Sequence, residues 1–232
     1  MLAALDNPEE TFRLGFDGGP LRSYPCRDFI EPRLDEVDLL DGLRLPAGAA
    51  ILDYGCGIGR HLAHLQHSNQ QVRCFGIEIC DGLRDHCQRT IGPPENFVQS
   101  LDDLPPGQSF DLILMMGNGL GVLGDEDAAQ AGLARLVGLL SPEGRLVIET
   151  GPHPRAIDGY RTSTLRIQWG PYQDPDCVWG CAGETWMRQT LGTLGCEVVT
   201  FPSDAPLAVS FHAVASRKQE PLETQATERW RA

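Results

Sequence analysis

Short apolar runs recur along the first two thirds of the chain, each closing on a polar residue or running into a turn. Ile51-Leu52 ends at Asp53, and Cys74-Phe75-Gly76-Ile77 ends at Glu78. Phe97-Val98, Leu112-Ile113-Leu114-Met115 and Leu146-Val147-Ile148 repeat the pattern. Runs this short and this apolar predict buried strands. Helical spacing fills gaps between them. Residues 60–65 predict a helix start, and 126–140 carries Leu133, Leu136, Val137 and Leu140 at i, i+3, i+4 and i+7. Ser141-Pro142-Glu143-Gly144 then stops that helix ahead of a fifth strand. Strands alternating with helices predict an α/β fold with a mostly parallel sheet.

Outside this stretch the pattern is less regular. Residues 28–43 predict an amphipathic helix, with Ile30, Leu34, Val37 and Leu40 on one side and Pro32 near its first turn. Residues 16–25 read as a turn-rich loop. The stretch 151–182 is longer than a simple connection needs and concentrates aromatic and cationic side chains; within it 160–169 alternates as a strand does. A helix over 183–194 and strands over 195–199 and 207–215 follow, and the residues from 217 onward predict a mobile tail. The expected division is a helical segment over 1–47, a main domain over 48–216 with a substrate-facing insertion at 151–182, and a tail over 217–232.

The densest chemical signal lies at Asp53-Tyr54-Gly55-Cys56-Gly57-Ile58-Gly59. A strand that ends in an acid and enters three alternating glycines can bring a ligand against its backbone, because a Cβ would block the turn or the ligand. The helix that follows offers unpaired N–H groups. Glu78 closes the next strand about 20 residues on, the place for a carboxylate that accepts from two ribose hydroxyls.

Here the chain resembles the class I S-adenosylmethionine-dependent methyltransferases. The resemblance rests on Asp53-x-Gly55-x-Gly57-x-Gly59, Glu78, Ser109-Phe110-Asp111-Leu112-Ile113 and Leu140-Ser141-Pro142-Glu143-Gly144-Arg145-Leu146, in the family's order and spacing over about 48–150. It implies a Rossmann-like, mostly parallel seven-stranded sheet with an antiparallel edge strand and helices on both faces. It also implies S-adenosyl-L-methionine as cofactor, held by Asp53, Gly55, Cys56, Gly57, Gly59, Glu78, Ile79, Ser100, Leu101, Met116 and Asn118. The resemblance further implies that the segment over 1–47 folds over the cofactor as a lid, from which Tyr24 or Arg22 would reach the methionine carboxylate. A nicotinamide-dependent oxidoreductase also uses a glycine turn and a strand-end acid. Its G-x-G-x-x-G spacing is broken here, since the third glycine comes one residue early at Gly59, and no Tyr-x-x-x-Lys pair is present.

The chain has 232 residues, 41% hydrophobic and 22% charged, as expected of one globular α/β domain. Net charge is −13 and Lys218 is the one lysine, which argues against a phosphodiester substrate. The first residues lack the basic and apolar regions of a signal peptide and no run is long enough to span a bilayer, so a cytoplasmic protein is expected. Eight cysteines in a reducing compartment read as small buried apolar residues; Cys177-x-x-x-Cys181 lacks a second ligand pair, and no metal is expected.

The expected activity is methyl transfer to a small molecule, with acceptor atom and oligomeric state open. In-line displacement demands alignment more than side-chain chemistry, so a catalytic group is weakly specified. His153, just past the fifth strand, is the candidate base. Tyr160, Trp169 and Trp179 are candidate substrate contacts. The same chemistry on protein or RNA, and a non-methylating cofactor-binding relative, remain as alternatives.

Overall fold

The computed structural model describes residues 10–68, 71–150, 158–170, 172–173, 175–203 and 210–218. Two sheets organise them. The larger has seven strands: β3 (Ala50–Tyr54), β4 (Arg73–Ile77), β5 (Phe97–Val98), β6 (Phe110–Met115), β7 (Leu140–Thr150), β11 (Cys196–Ser203) and β12 (Ser210–Arg217). Their order across the sheet is β11-β12-β7-β6-β3-β4-β5. The five strands from β3 to β7 pair in parallel, and β12 runs antiparallel to both β7 and β11. The antiparallel strand thus sits one place in from the edge. The order steps outward from β3 in both directions, so β3 and β6 flank a topological switch point, where open α/β sheets leave a crevice at their carboxyl ends.

Alternation along the central strands sorts the core into two layers. Ile113 and Met115 face α4 (Glu126–Gly138) and α5 (Glu184–Thr193), packing with Leu133, Leu136 and Met187. Leu112 and Leu114 face the other way, with Leu40 of α1 (Leu34–Gly42), Leu62 and Leu65 of α2 (Arg60–Ser68) and Cys87 of α3 (Asp81–Thr90). Strands covered on both faces explain why their sequences are nearly continuous apolar runs.

The second sheet is antiparallel, in the order β10-β8-β1-β2, with the two-residue β9 (Tyr172–Gln173) paired to β8. It joins β1 (Thr11–Phe16) and β2 (Arg22–Pro25) to β8 (Tyr160–Trp169) and β10 (Cys177–Ala182). The register puts Phe12, Leu14, Tyr24, Leu165, Ile167, Trp179 and Cys181 on one face and Thr11, Arg13, Ser23, Thr162, Thr164 and Gln168 on the other. One end of this sheet rests on the loop after β6. The Tyr160 hydroxyl donates to the Gly124 carbonyl at 2.6 Å, and the Trp179 indole lies so close over Gly121 that a Cβ there would come within 2.0 Å of its nitrogen.

Several expectations need correction. The helix expected over 28–43 starts at Leu34: Cys26–Phe29 forms a 3-10 turn, and Pro32 lies before the helix rather than in its first turn. The N-terminal segment expected to be helical contains β1 and β2, and within the loop expected over 16–25 residues 22–25 are extended. The fourth helix ends at Gly138, and β7 already pairs with β6 at Leu140, with a register irregularity before Arg145. β11 is longer than expected, Cys196–Ser203, and β12, Ser210–Arg217, runs two residues further than expected, so Arg217 belongs to the sheet; residues 207–209 of the expected strand lie outside the described residues. The rest of the expected tail, from residue 219, lies outside the described residues.

Candidate active site

The turn after β3 is a backbone device. Gly55, Gly57 and Gly59 all have positive φ, at 77°, 57° and 78°, a region that residues with a Cβ enter only at a cost. The amides of Gly55 and Cys56 donate to the Ile77 carbonyl at 2.9 and 3.0 Å, which ties the turn to the end of β4. Glu78 is the next residue. Its carboxylate accepts from the Gly57 amide at 2.9 Å and from the Cys80 amide at 2.8 Å. A carboxylate has about four lone-pair sites, so two amides orient Glu78 while leaving capacity for a diol.

The glycines do different work. Among the described residues a Cβ on Gly57 would meet nothing within 4 Å, whereas one on Gly59 would stand 2.1 Å from Ile91 Cδ1 and 3.1 Å from Cys87 Sγ. Gly59 therefore lets the start of α2 pack on α3, while Gly57 borders open space beside Glu78. The Cys56 side chain turns inward, and its hydrogen bond with Cys87 followed by burial raises its thiol pKa. Cys56 can thus offer a ligand its backbone alone.

Around this turn the other expected contacts take various positions. Ile79 is 70% exposed, an unusual state for isoleucine beside Glu78. Ser100 caps a 3-10 turn by donating to Asp103 at 2.7 Å, and Leu101 behind it is half-buried. Met116 is buried at the end of β6. Asn118 adopts the left-handed conformation (φ 60°, ψ 35°), one that asparagine tolerates better than most residues. Its Oδ1 accepts from Thr150 Oγ1 at 3.0 Å, so the ends of β6 and β7 hold it jointly.

A buried ionic network lies behind the site, and the sequence reading missed it. Arg60, directly after Gly59, donates two 2.7 Å bonds to the two oxygens of Glu36, which is fully buried on α1. Arg33 pairs with Glu149 at the end of β7, and the other Glu149 oxygen accepts from the Gly117 amide at 2.6 Å. His61 stands 3.4 Å from Asp53 on one side and 3.4 Å from Glu36 on the other. Burial alone would raise the Glu36 carboxyl, but hydrogen bonding and charge from His61, then Arg60 and Arg33, outweigh it and hold it at about 2. Burial and Arg60 disfavour a charged His61, yet its bonds to Asp53 and Glu36 leave its pKa raised. Asp53 therefore helps anchor α2 behind the turn. The available signal was a glutamate within the apolar side of a helix and another at the end of an apolar strand.

The expected substrate residues do not converge. Tyr160 and Trp169 stand at opposite ends of β8, about 30 Å apart at strand rise, and on opposite faces. Tyr160 packs on Trp186 with ring centroids 4.7 Å apart, and Trp169 donates to Glu10 at 3.0 Å. Trp179 shares the apolar face with Cys181, whose thiol is raised to about 11 by burial despite a hydrogen bond with Asn118. That contact brings the apolar face of the second sheet to the carboxyl end of β6. Tyr24 is buried against Phe12, ring centroids 5.7 Å apart, and Arg22 is exposed. His153 lies outside the described residues.

This strand order, with a glycine turn at the switch point and an acid at the next strand end, is the Rossmann-like class I methyltransferase fold. Residues 51–144 match the family model described as "Methyltransferase domain". A sugar methyltransferase of Streptomyces fradiae, dTDP-3-amino-3,6-dideoxy-alpha-D-glucopyranose N,N-dimethyltransferase, is 28% identical over 104 residues. The match spans 45% of this chain and 40% of that relative. A SAM-dependent methyltransferase from Bacteroides fragilis, solved with S-adenosyl-L-homocysteine, superposes with a TM-score of 0.71 at 19% identity, covering 91% of this chain and 89% of that one. The 1,6-didemethyltoxoflavin-N1-methyltransferase of Burkholderia thailandensis superposes with a TM-score of 0.61 at 20% identity, over 81% and 78%.

Proposed function

We propose that this chain transfers a methyl group from S-adenosylmethionine to a small-molecule acceptor. The observation that carries the reading is the pairing of open space at Gly57 with the Glu78 carboxylate, oriented by two amides and holding spare acceptor capacity. Gly55, Cys56 and Gly57 offer backbone, Glu78 accepts from ribose hydroxyls, and Ile79, Ser100 and Leu101 border the base. Met116 and Asn118 lie toward the reacting end, with Arg22 and Tyr24 as the lid's contributions. The cofactor would supply a methyl group on a positively charged sulfur, so the chain's own task is alignment and exclusion of water. The apolar face around Trp179 and Cys181 suits an acceptor's carbon skeleton, and Asn118 suits its polar group. His153 is the candidate group to take up a proton.

An amine nitrogen is the favoured acceptor atom, because the curated relative is an amino-sugar N,N-dimethyltransferase. The test is calorimetry with S-adenosylhomocysteine, then mass spectrometry of a panel of small amines, phenols and carboxylates incubated with protein and cofactor. We expect binding by the parent chain and a fall of roughly tenfold or more in Glu78→Gln, in keeping with about 1.5–3 kcal/mol for hydrogen bonds to a charged group. Methyl transfer to protein or RNA and to none of the small molecules would sink the substrate reading. Binding of a nicotinamide dinucleotide instead would sink the whole proposal.

A further inference from the structure

We propose that Asp35, Glu149 and His212 bind one divalent transition-metal ion, which clasps α1 to the carboxyl-end region of the main sheet. One ligand atom from each lies within 4.8 Å of the other two. The three come from separate parts of the fold: Asp35 from α1, Glu149 from β7, and His212 from its cross-strand position on β12.

The decisive observation is the His212 ring. It is 1% exposed, and its Nε2 has no hydrogen-bond partner among the described residues. An orphaned buried ring nitrogen is costly. It stands 3.7 Å from Glu149 Oε1 and 3.8 Å from Asp35 Oδ2, too far for hydrogen bonds. Donors that share an ion at about 2.0–2.2 Å lie roughly 3–4 Å from one another, the spacing seen from His212 to each carboxylate. A neutral imidazole has the lone pair a metal needs.

Charge points the same way. Four carboxylates of low exposure, Asp35, Glu36, Asp53 and Glu149, face two guanidiniums, Arg33 and Arg60. A divalent ion would offset the two unmatched negative charges. Two groups already at Glu149 must be accommodated. The Ser203 hydroxyl lies 2.6 Å from Glu149 Oε1 and 3.1 Å from Asp35 Oδ2. It can donate its one proton to only one of them, and its oxygen is placed to become a fourth ligand. Arg33 and the ion would be alternative counter-charges for Glu149; when displaced, Arg33 keeps Asp35 and Glu36. One imidazole with two carboxylates suits Mn²⁺, Fe²⁺, Co²⁺ or Zn²⁺. Because Glu149 also holds the Gly117 amide, the ion would steady the loop that carries Asn118.

The probe is Mn²⁺, chosen because it avoids thiols, titrated into the full chain while the free-ion electron paramagnetic resonance signal is recorded. We expect one ion bound per chain, at least a tenfold weaker affinity in His212→Gln, and a tighter affinity in Arg33→Gln, where the competing cation is gone. Circular dichroism confirms that each variant is folded, and Asp35→Asn replaces His212→Gln if the latter is not. Co²⁺ should then show visible bands of nitrogen and oxygen ligation without sulfur charge transfer. Absence of binding by the parent and by Arg33→Gln, or equal affinity in the folded ligand variant, overturns the proposal. The outcome is independent of whether the chain binds S-adenosylmethionine.

Discussion

Exchanging Gly57 and Gly59 for alanine, one at a time, separates a ligand-facing glycine from a packing glycine within one turn. Both have positive φ, so each alanine carries a backbone cost of about 1–2 kcal/mol. At position 57 that is the whole cost, because the added methyl meets nothing within 4 Å among the described residues. At position 59 the methyl would stand 2.1 Å from Ile91 Cδ1 in a buried contact, which adds about 1–3 kcal/mol of overpacking. In a domain of this size 1 kcal/mol moves the melting midpoint by about 2–4 °C. Gly59→Ala should therefore melt several degrees below Gly57→Ala. Affinity should show the reverse order. Gly57→Ala fills the space beside Glu78 and should weaken S-adenosylhomocysteine at least tenfold, about 1.4 kcal/mol, while folded Gly59→Ala binds nearly as the parent does. Thermal melts and calorimetry on the same preparations read both quantities. Parental affinity in Gly57→Ala, or a lower melting point for it than for Gly59→Ala, refutes the division of labour.

Glu36 gives an acid-side prediction. Its pKa is depressed from 4.5 to about 2, so its stabilisation is complete above 4.5 and lost as pH falls toward 2. The shift corresponds to about 3 kcal/mol, and Glu36→Gln should flatten urea stability between pH 5 and 2.5; an unchanged slope contradicts it. His61 works in the opposite sense. Its raised pKa contributes stability below its ordinary 6.5 that is lost as pH rises through the folded value, and His61→Gln should remove that alkaline decline in the same urea series. Tyr160→Phe deletes the bond to Gly124 and should cost about 1 kcal/mol with catalytic parameters little changed. A large rise in KM at unchanged stability would instead place Tyr160 at the substrate.

The glycine turn, Glu78 and the strands of the parallel sheet were legible because their signals are local. A strand covered on both faces must be apolar throughout, as at Leu112–Met115, and a turn at positive φ needs glycine wherever it occurs. The second sheet was only half legible. Residues 160–169 showed alternation, but Thr11–Phe16 pairs with a strand some 150 residues away, and a strand's stability rests on such partners rather than on its own residues. Hence a loop and a helix were expected where strands stand. The ionic network was barely legible for a related reason. Glu36, Arg60, Glu149 and His212 each read locally as ordinary polar residues. Burying a charge is tolerable only when a counter-charge arrives from elsewhere in the chain, and only the folded arrangement of α1, α2, β7 and β12 supplies those counter-charges.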